Sequence, residues 1–534
     1  YIGLSQHVPF LSAGNLVTGP FIFVIANLIL LVATIFISIQ TVTNGILTFF
    51  SQPSTDLLPT SAAIAAIIQL VALLFNTESY SASPVIIFST IAILGFLFNC
   101  IGKCLQMKNI IQNFDMSISR AEYSAAYILT DENVAKKVTE NLAEESPRIL
   151  VSRETALVKG FLKHSFSTTD SDLKAKKCVI VSFIAGAVFG LITYLFTKNL
   201  LLAFTAFTAA VCLGAPLSST LVSAIPSFLM HNAASRVGAI IAGPSAVNTI
   251  AQTNVVMANA RDIFPAGTVR LRGMKTFDKE RIDLAILYAA SIFVQGCDTL
   301  RDIFLSIIEG NTDMLYTVEN LTKEVGYGFV GWIENNRIII GNREMMKRHD
   351  IEIPSLDYEE RYTKNERQPI YLAVAGKLFG MFLVKYVQNN EVGGVLEDLR
   401  QAGISLLVTS DDFCITNSLI ENLYSLRPGT VSIMSQTDIE ALTPSLAYLP
   451  KSEGVMSHLG TFSSCLGGLY AATSAKSAEK IAGILQTCGS IIGLVIIAVL
   501  TLTQGIGALS LTAVILFLMA WLLITVAIPL LKKY

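Results

Sequence analysis

The chain has 534 residues, 52% hydrophobic and only 15% charged, with a formal charge of −2 and a mean hydropathy of +0.58. That balance excludes an ordinary soluble globular protein. It also lacks the basic footprint that nucleic-acid binding requires, so the expected partner is a lipid bilayer and no nucleic acid.

Seven stretches reach or approach the twenty apolar residues a helix needs to cross hydrocarbon, near 19–41, 57–77, 83–102, 178–197, 200–224, 482–503 and 508–530. Lys103, Lys108, Lys174, Lys176, Lys177, Lys532 and Lys533 border these spans on the side of the polar regions, whereas the link between the fourth and fifth spans carries only Lys198. By the positive-inside rule both polar regions are expected in the cytoplasm, and the protein in the plasma (cell) membrane. The chain begins at Tyr1 rather than Met, and a further N-terminal portion is expected. Eight cysteines are scattered singly with no Cys-x-x-Cys, the pattern of reduced thiols rather than a metal site.

The smaller polar region, 105–174, has its apolar residues at helical spacing and is punctuated by Pro147. It is expected to be a helical connector, with Ser165–Asp172 as a polar linker.

The larger polar region, 235–476, carries the candidate chemistry. Asn254-Val-Val-Met predicts a short strand running into Asn259-Ala-Arg-Asp262-Ile-Phe-Pro-Ala-Gly267-Thr268. A carboxylate after a buried strand, backed by Gly-Thr, is an arrangement in which an aspartate attacks a phosphoryl group. Asn259 and Asp262 compete for that position, and an amide cannot form an acyl phosphate. Further on, Gly326-Tyr-Gly328-Phe precedes two strand candidates, Val330–Ile333 and Arg337–Ile340, and Gly341-Asn342 follows them. The glycines would let backbone approach a flat or anionic ligand closely. Residues 369–384 predict a hairpin turning at Gly376-Lys377. A helix over Val392–Gln401 is capped by Gly403. The strand Ile404–Val408 then delivers Thr409-Ser410-Asp411-Asp412 at its carboxyl end, where α/β folds present catalytic groups.

These landmarks, in this order, resemble a P-type ATPase, most closely the heavy-metal-transporting branch, from about Gly214 to the C-terminus. Gly214-Ala215-Pro216 resembles the family's broken transport helix, Gly326-Tyr-Gly-Phe through Gly341-Asn342 its nucleotide-binding domain, and Thr409-Ser410-Asp411 its Thr-Gly-Asp segment. The resemblance implies a polytopic α-helical membrane protein of about seven spans. It also implies a cytoplasmic α/β haloacid-dehalogenase-like phosphorylation domain carrying an inserted α+β nucleotide-binding-like domain. The layout would be membrane helices in 1–104, a reduced actuator-like connector in 105–174, and membrane helices in 175–234. A phosphorylation-like domain in 235–278 and 385–476 would then flank a nucleotide-binding-like domain in 279–384, with the last helices in 477–534.

On the same basis ATP and Mg²⁺ are the implied cofactors. Asn259, Asp262, Thr268, Thr409 and Asp411 would be catalytic, Gly326, Gly328, Gly341 and Asn342 would face nucleotide, and Asp411 and Asp412 would hold metal. Ala215, Pro216, Ser218 and Ser219 would line a transport path. The departures are specific. The family's Asp-Lys-Thr-Gly-Thr is not kept around Asn259, Thr299-Leu300 stands where a His-Pro pair is expected, and no Gly-Asp-Gly-x-Asn-Asp segment follows Asp412. The Thr-Gly-Glu motif has only a faint echo at Glu144-Glu145-Ser146, and Ala215-Pro216-Leu217 replaces Cys-Pro-Cys. Lys275, Arg261 and Lys385 are the candidate cations for phosphoryl oxygens. The expected function is a regulator or partner subunit with a degraded catalytic cycle that binds a nucleotide or phosphate ligand and a membrane-protein partner. An active divergent cation-translocating ATPase is the alternative, and a membrane-anchored phosphatase comes third.

Overall fold

The computed structural model describes residues 19–76, 80, 85–119, 122–129, 131–140, 142, 146–154, 160–277, 281–364, 366–448 and 454–534. Glu144 and Glu145 lie outside the described residues, as does the N-terminal stretch around Tyr1.

Numbering only the helices of the apolar region, these are α1 (Pro20–Ile37), α2 (Ile39–Phe50), α3 (Leu57–Phe75), α4 (Ser89–Ser117), α5 (Asp170–Thr197), α6 (Leu200–Gly214), α7 (Ser219–Arg236), α8 (Phe462–Leu502) and α9 (Leu511–Leu531). Among the described residues, six spans are long and apolar enough to cross a membrane, α6 and α7 together forming one. The pair α1 and α2, bent by 79°, makes a seventh if counted as one span. This agrees with the seven expected segments. Pro59 sits within the first turn of α3, where its missing N–H costs nothing. Residues 215–218 interrupt the α6–α7 span around Pro216, as the Ala-Pro sequence predicts.

The polar chain builds two sheets. The first has strands in the order β11 (Val431–Ile433), β10 (Ser405–Thr409), β3 (Val255–Asn259), β2 (Ile149–Glu154), β1 (Ser124–Ile128) and β12 (Met456–His458). Strands β11, β10, β3 and β2 run parallel, while β1 is antiparallel to both its neighbours. Alternate residues face opposite sides: Ala126, Leu150, Val256 and Leu406 join the main core, whereas Tyr127, Val151, Val255 and Leu407 join a second cluster. Both faces are covered, so these strands read as continuous apolar runs.

The expectation for 105–174 needs correction. Besides the end of α4 it supplies β1 and β2, which extend the sheet from β3 outward. Ser-Ala-Ala-Tyr-Ile has no strong strand propensity of its own; pairing with β2 and β12 makes it a strand.

The second sheet is antiparallel throughout, in the order β4 (Val269–Thr276), β9 (Lys377–Tyr386), β8 (Gln368–Val374), β7 (Asn336–Gly341), β6 (Gly328–Ile333) and β5 (Glu319–Glu324). It lies between β3 and β10 in sequence, so it is inserted into the first domain, and it spans Val269–Tyr386, wider than the expected 279–384. The β6–β7 turn uses Glu334 and Asn335, both at positive φ. The β8–β9 turn uses Ala375 and Gly376, also at positive φ, one residue earlier than expected. Two membrane helices enter the main core directly: α7 through Met230 and Ala234, and α8 through Leu466, Leu469 and Ala472.

Candidate functional site at the strand ends

Strands β3 and β10 pair in parallel with Asn259 opposite Thr409. The structure thus brings two of the expected catalytic residues to adjacent strand ends, and the Thr409 hydroxyl donates to the Ala258 carbonyl across the pair at 3.2 Å. The residue at the carboxyl end of β3 is the amide, Asn259, not an acid.

Asp262 is tied to that amide. Asn259 caps the single turn Ala260–Ile263, its side-chain oxygen accepting from Arg261 N at 2.9 Å. In return the Asp262 carboxylate accepts from Asn259 N at 2.9 Å. The two residues that compete in the sequence are the two halves of one capping box. Burial raises the Asp262 pKa, opposed by the Asn259 N–H and by Arg261. Thr268 stands apart in the next turn, its hydroxyl donating to the Pro265 carbonyl at 2.7 Å.

The two expected metal ligands diverge. Asp412 is 2% exposed, its carboxylate accepting from Tyr386 OH at 2.5 Å and Cys414 N at 3.0 Å. Burial raises its pKa to about 6, and the same burial, together with the Asp412 charge, holds the Cys297 and Cys414 thiols and the Tyr386 phenol protonated. Asp411 lies outside this cluster and is ion-paired with Lys323 of β5, which also donates to the Ser410 carbonyl at 3.3 Å. Both Asp412 oxygens are engaged inside the fold and one Asp411 oxygen by Lys323, in different directions, Asn259 offers no charge, and no group of three or more His, Cys, Asp or Glu side chains able to hold a metal occurs among the described residues. With Asp412 enclosed, Asp411 turned to Lys323 and an amide at Asn259, these residues do not fit Mg²⁺.

The expected cations are also engaged elsewhere. Arg261 pairs with Asp302 at 3.7 Å and Lys385 with Glu366 at 3.4 Å. Lys275 donates to Tyr362 OH at 3.0 Å and lies over the Tyr358 ring. Lys323 is the cation that sequence reasoning missed. It lies far from Asp411 in sequence and meets it because Phe329 and Phe293 of the inserted domain pack on Phe413.

The glycines expected to face nucleotide serve mainly the sheet. A Cβ on Gly328, at φ +154°, would lie 2.1 Å from the Ile340 carbonyl oxygen, and one on Gly341 2.4 Å from that of Tyr327. Only Gly326, at φ +79°, borders open space. The Asn342 amide ties the turn by donating to Gly326 O at 2.9 Å and caps the next helix at Met345 N. The close approach that Gly328 and Gly341 permit is between β6 and β7.

In the transport-path region, Ala215 and Ser219 are buried and Pro216 and Ser218 half-buried. Ser218 accepts from Gln486 Nε2 of α8 at 3.1 Å, beside a void of only about 40 Å³.

No family model matches the sequence, and no curated protein does. Among solved structures the chain is similar to a zinc-transporting PIB-type ATPase, at 12% identity and a TM-score of 0.46, over 99% of this chain and 97% of that one. It is similar to a zinc-transporting PIB-type ATPase in a second state at 13% identity and 0.44, over 99% and 96%. The catalytic domain of the CPx-ATPase CopB-B matches at 15% identity and 0.26, over 44% of this chain and 95% of that one.

Proposed function

We propose that this chain is a membrane protein of P-type ATPase architecture whose phosphoryl-transfer cycle is lost, and that it acts as a regulator or partner subunit. The two polar sheets lie on the cytoplasmic side, where the flanking lysines are. The observation that carries this reading is Asn259 at the carboxyl end of β3, opposite Thr409. Acyl-phosphate formation needs a carboxylate oxygen at that place, and an amide nitrogen or oxygen cannot supply it. The nearest acid, Asp262, is held in the capping box. Asp411 is neutralised by Lys323, and Asp412 is closed inside the fold.

What the chain keeps is the mechanical frame. The main core receives α7 and α8 directly, so opening or closing of the inserted domain over the strand ends would be felt at the α6–α7 break. In the regulatory reading a nucleotide or phosphate ligand acts by replacing the Lys323–Asp411 pair, not by being hydrolysed.

The test is acyl-phosphate labelling from γ-labelled ATP with Mg²⁺ on the full chain, its Asn259→Asp variant and its Asp262→Asn variant. The expected result is no label in the native chain. Label in the native chain that disappears with Asp262→Asn would overturn the proposal and make the chain an active, divergent cation-translocating ATPase. Label that appears only with Asn259→Asp would locate the lost acceptor.

A further inference from the structure

The break at Ser38 bends α2 by 79° away from α1 and gives it two unlike sides. Gln40 and Asn44 line a polar cavity of about 490 Å³ shared with α4 and α7. Ile46, Phe49 and Phe50 line an apolar groove of about 430 Å³ shared with α3 and α5. At the helical period the two sets stand on different sides of α2, the pattern of a helix lying at a membrane boundary.

The groove suits hydrocarbon. Nine of its eleven lining residues are apolar. The other two, Thr60 and Ser61 of α3, donate their hydroxyls to Asp56 O at 2.8 Å and Leu58 O at 2.7 Å in their own segment, so neither donor is left for a ligand. Ile46, Phe50, Ile64, Ile180 and Ile184 are 39–83% exposed, which leaves the groove open toward lipid. It lies along the first two turns of α3 and beside Val179–Ile184 of α5, just after the lysines that flank the polar region. That places it in the leaflet on the side of the polar sheets.

The mouth of the groove carries charge. Val179, Ile180 and Phe183 follow Lys176 by three, four and seven residues, and Ile180 and Ile184 follow Lys177 by three and seven. Both lysines therefore stand one turn before the groove on its own side of α5. Among the described residues the Lys176 ammonium makes no ion pair; it lies over the Phe49 ring, 5.4 Å from the centroid. We propose that the groove binds one anionic phospholipid of that leaflet, an acyl chain packed on Ile64 and Phe183 and the phosphate-bearing headgroup at Lys176 and Lys177. From Lys176 to Ile184 α5 rises about 12 Å, within the roughly 15 Å of hydrocarbon in one leaflet. A sterol would bring a hydroxyl and no charge to the lysines, and a zwitterionic lipid carries its own cation beside the phosphate. The site does not rest on whether the strand-end centre turns over.

The experiment uses the full chain in detergent, with bound lipid counted by native mass spectrometry. Dioleoyl-phosphatidylglycerol and dioleoyl-phosphatidylcholine are added together in equal amounts. The expected result is saturable retention of a single phosphatidylglycerol, preferred about fivefold or more over phosphatidylcholine. Lys176→Gln with Lys177→Gln should erase the preference. Ile180→Trp, which fills the groove from a partly exposed position, should lower retention of both lipids several-fold. Equal retention of the two lipids by the native chain means non-selective lipid contact and would overturn the proposal. So would a preference that survives the double glutamine substitution. Retention unchanged by Ile180→Trp would also overturn it, because the headgroup would then be held at the surface alone. If Ile180→Trp does not fold, as judged by its thermal midpoint without added lipid, the native chain and the double glutamine variant decide the question without it.

Discussion

The two polar centres of this chain use their hydrogen-bonding capacity in opposite ways. At the strand ends, Asn259 and Asp262 close on each other, Asp411 is paired with Lys323, and Asp412 is enclosed with Tyr386 and Cys414. In the membrane region the Asp56 carboxylate is likewise engaged by Lys103 and Asn99, and Asn99 by Thr220, but Asn109 and Asn113 leave acceptors facing a cavity without partners. In the first pattern polar groups satisfy one another within the fold; in the second two buried amide oxygens, those of Asn109 and Asn113, are not satisfied by protein groups. The sequence landmarks of a phosphoryl-transfer enzyme cluster at the first centre, so the position of motifs and the position of unused chemical capacity do not coincide.

The largest expected effect tests the membrane centre. Lys103→Met leaves the Asp56 carboxylate, 3% exposed, without its counter-ion among four packed helices, whereas the Lys103 side chain is 39% exposed. Removing the lysine alone leaves a buried charge unpaired, whereas removing both partners costs far less. Lys103→Met should therefore lower the unfolding midpoint sharply, and adding Asp56→Ala should restore most of the loss. Equal midpoints for the single and double variants would mean that the pair is solvated, and the contrast between the centres would collapse.

The next effect sharpens the strand-end centre through pH. Asp412 titrates near 6 in the folded chain because burial opposes its charge, against about 4 for an unperturbed aspartate. A raised folded pKa means a contribution to stability that is fully present below about pH 4 and lost as pH rises through 6. The difference corresponds to about 3 kcal/mol. Denaturant unfolding of the native chain between pH 4 and 7 should show this loss, and Asp412→Asn should flatten it. A pH profile unchanged by the substitution would place the carboxyl in contact with water.

Much of the frame was legible before the structure. Long uncharged runs mark the spans, Pro216 marks the break, and Gly403 marks the end of the helix before β10, where it adopts φ +70°. Strands β3 and β10 were legible because a buried parallel strand is a short apolar run with polar residues at its end. Strands β1 and β2 were not, since Ala125 and Ala126 say little locally and the pairing that makes them strands involves β12, more than 300 residues away. The capping box had a local signal: Asn259 and Asp262 stand at the spacing of an N-cap and its third helical residue. The Asp56 network had none, because its members come from three segments that each read only as a span or its edge.

The glycines of the inserted sheet give a smaller and more local test. Gly328→Ala forces a Cβ into the Ile340 carbonyl at a φ that only glycine adopts easily and should destabilise the inserted domain by about 2–3 kcal/mol. Gly326→Ala meets no atom and should cost about 1 kcal/mol through its positive φ alone. If nucleotide affinity falls with Gly326→Ala while stability holds, the glycine contacts a ligand as well as shaping the turn.

Lys323→Met should have the smallest effect on stability and the most informative one on function. The Lys323–Asp411 pair is partly exposed, with side-chain accessibilities of 29% and 41%, so its loss should cost no more than about 1 kcal/mol and the cost should shrink with added salt. The same substitution removes the tie between the inserted sheet and the strand ends and frees the Asp411 carboxylate. If the tie holds the domains closed, proteolysis in the segments joining them, near Val269 and Tyr386, should accelerate several-fold in Lys323→Met. Phosphate or nucleotide binding that relies on the lysine should weaken together with it. Faster proteolysis with unchanged ligand affinity would mean that Lys323 is a latch only. Weaker binding with unchanged proteolysis would make it a ligand contact, and the strand-end centre would then retain capacity of its own.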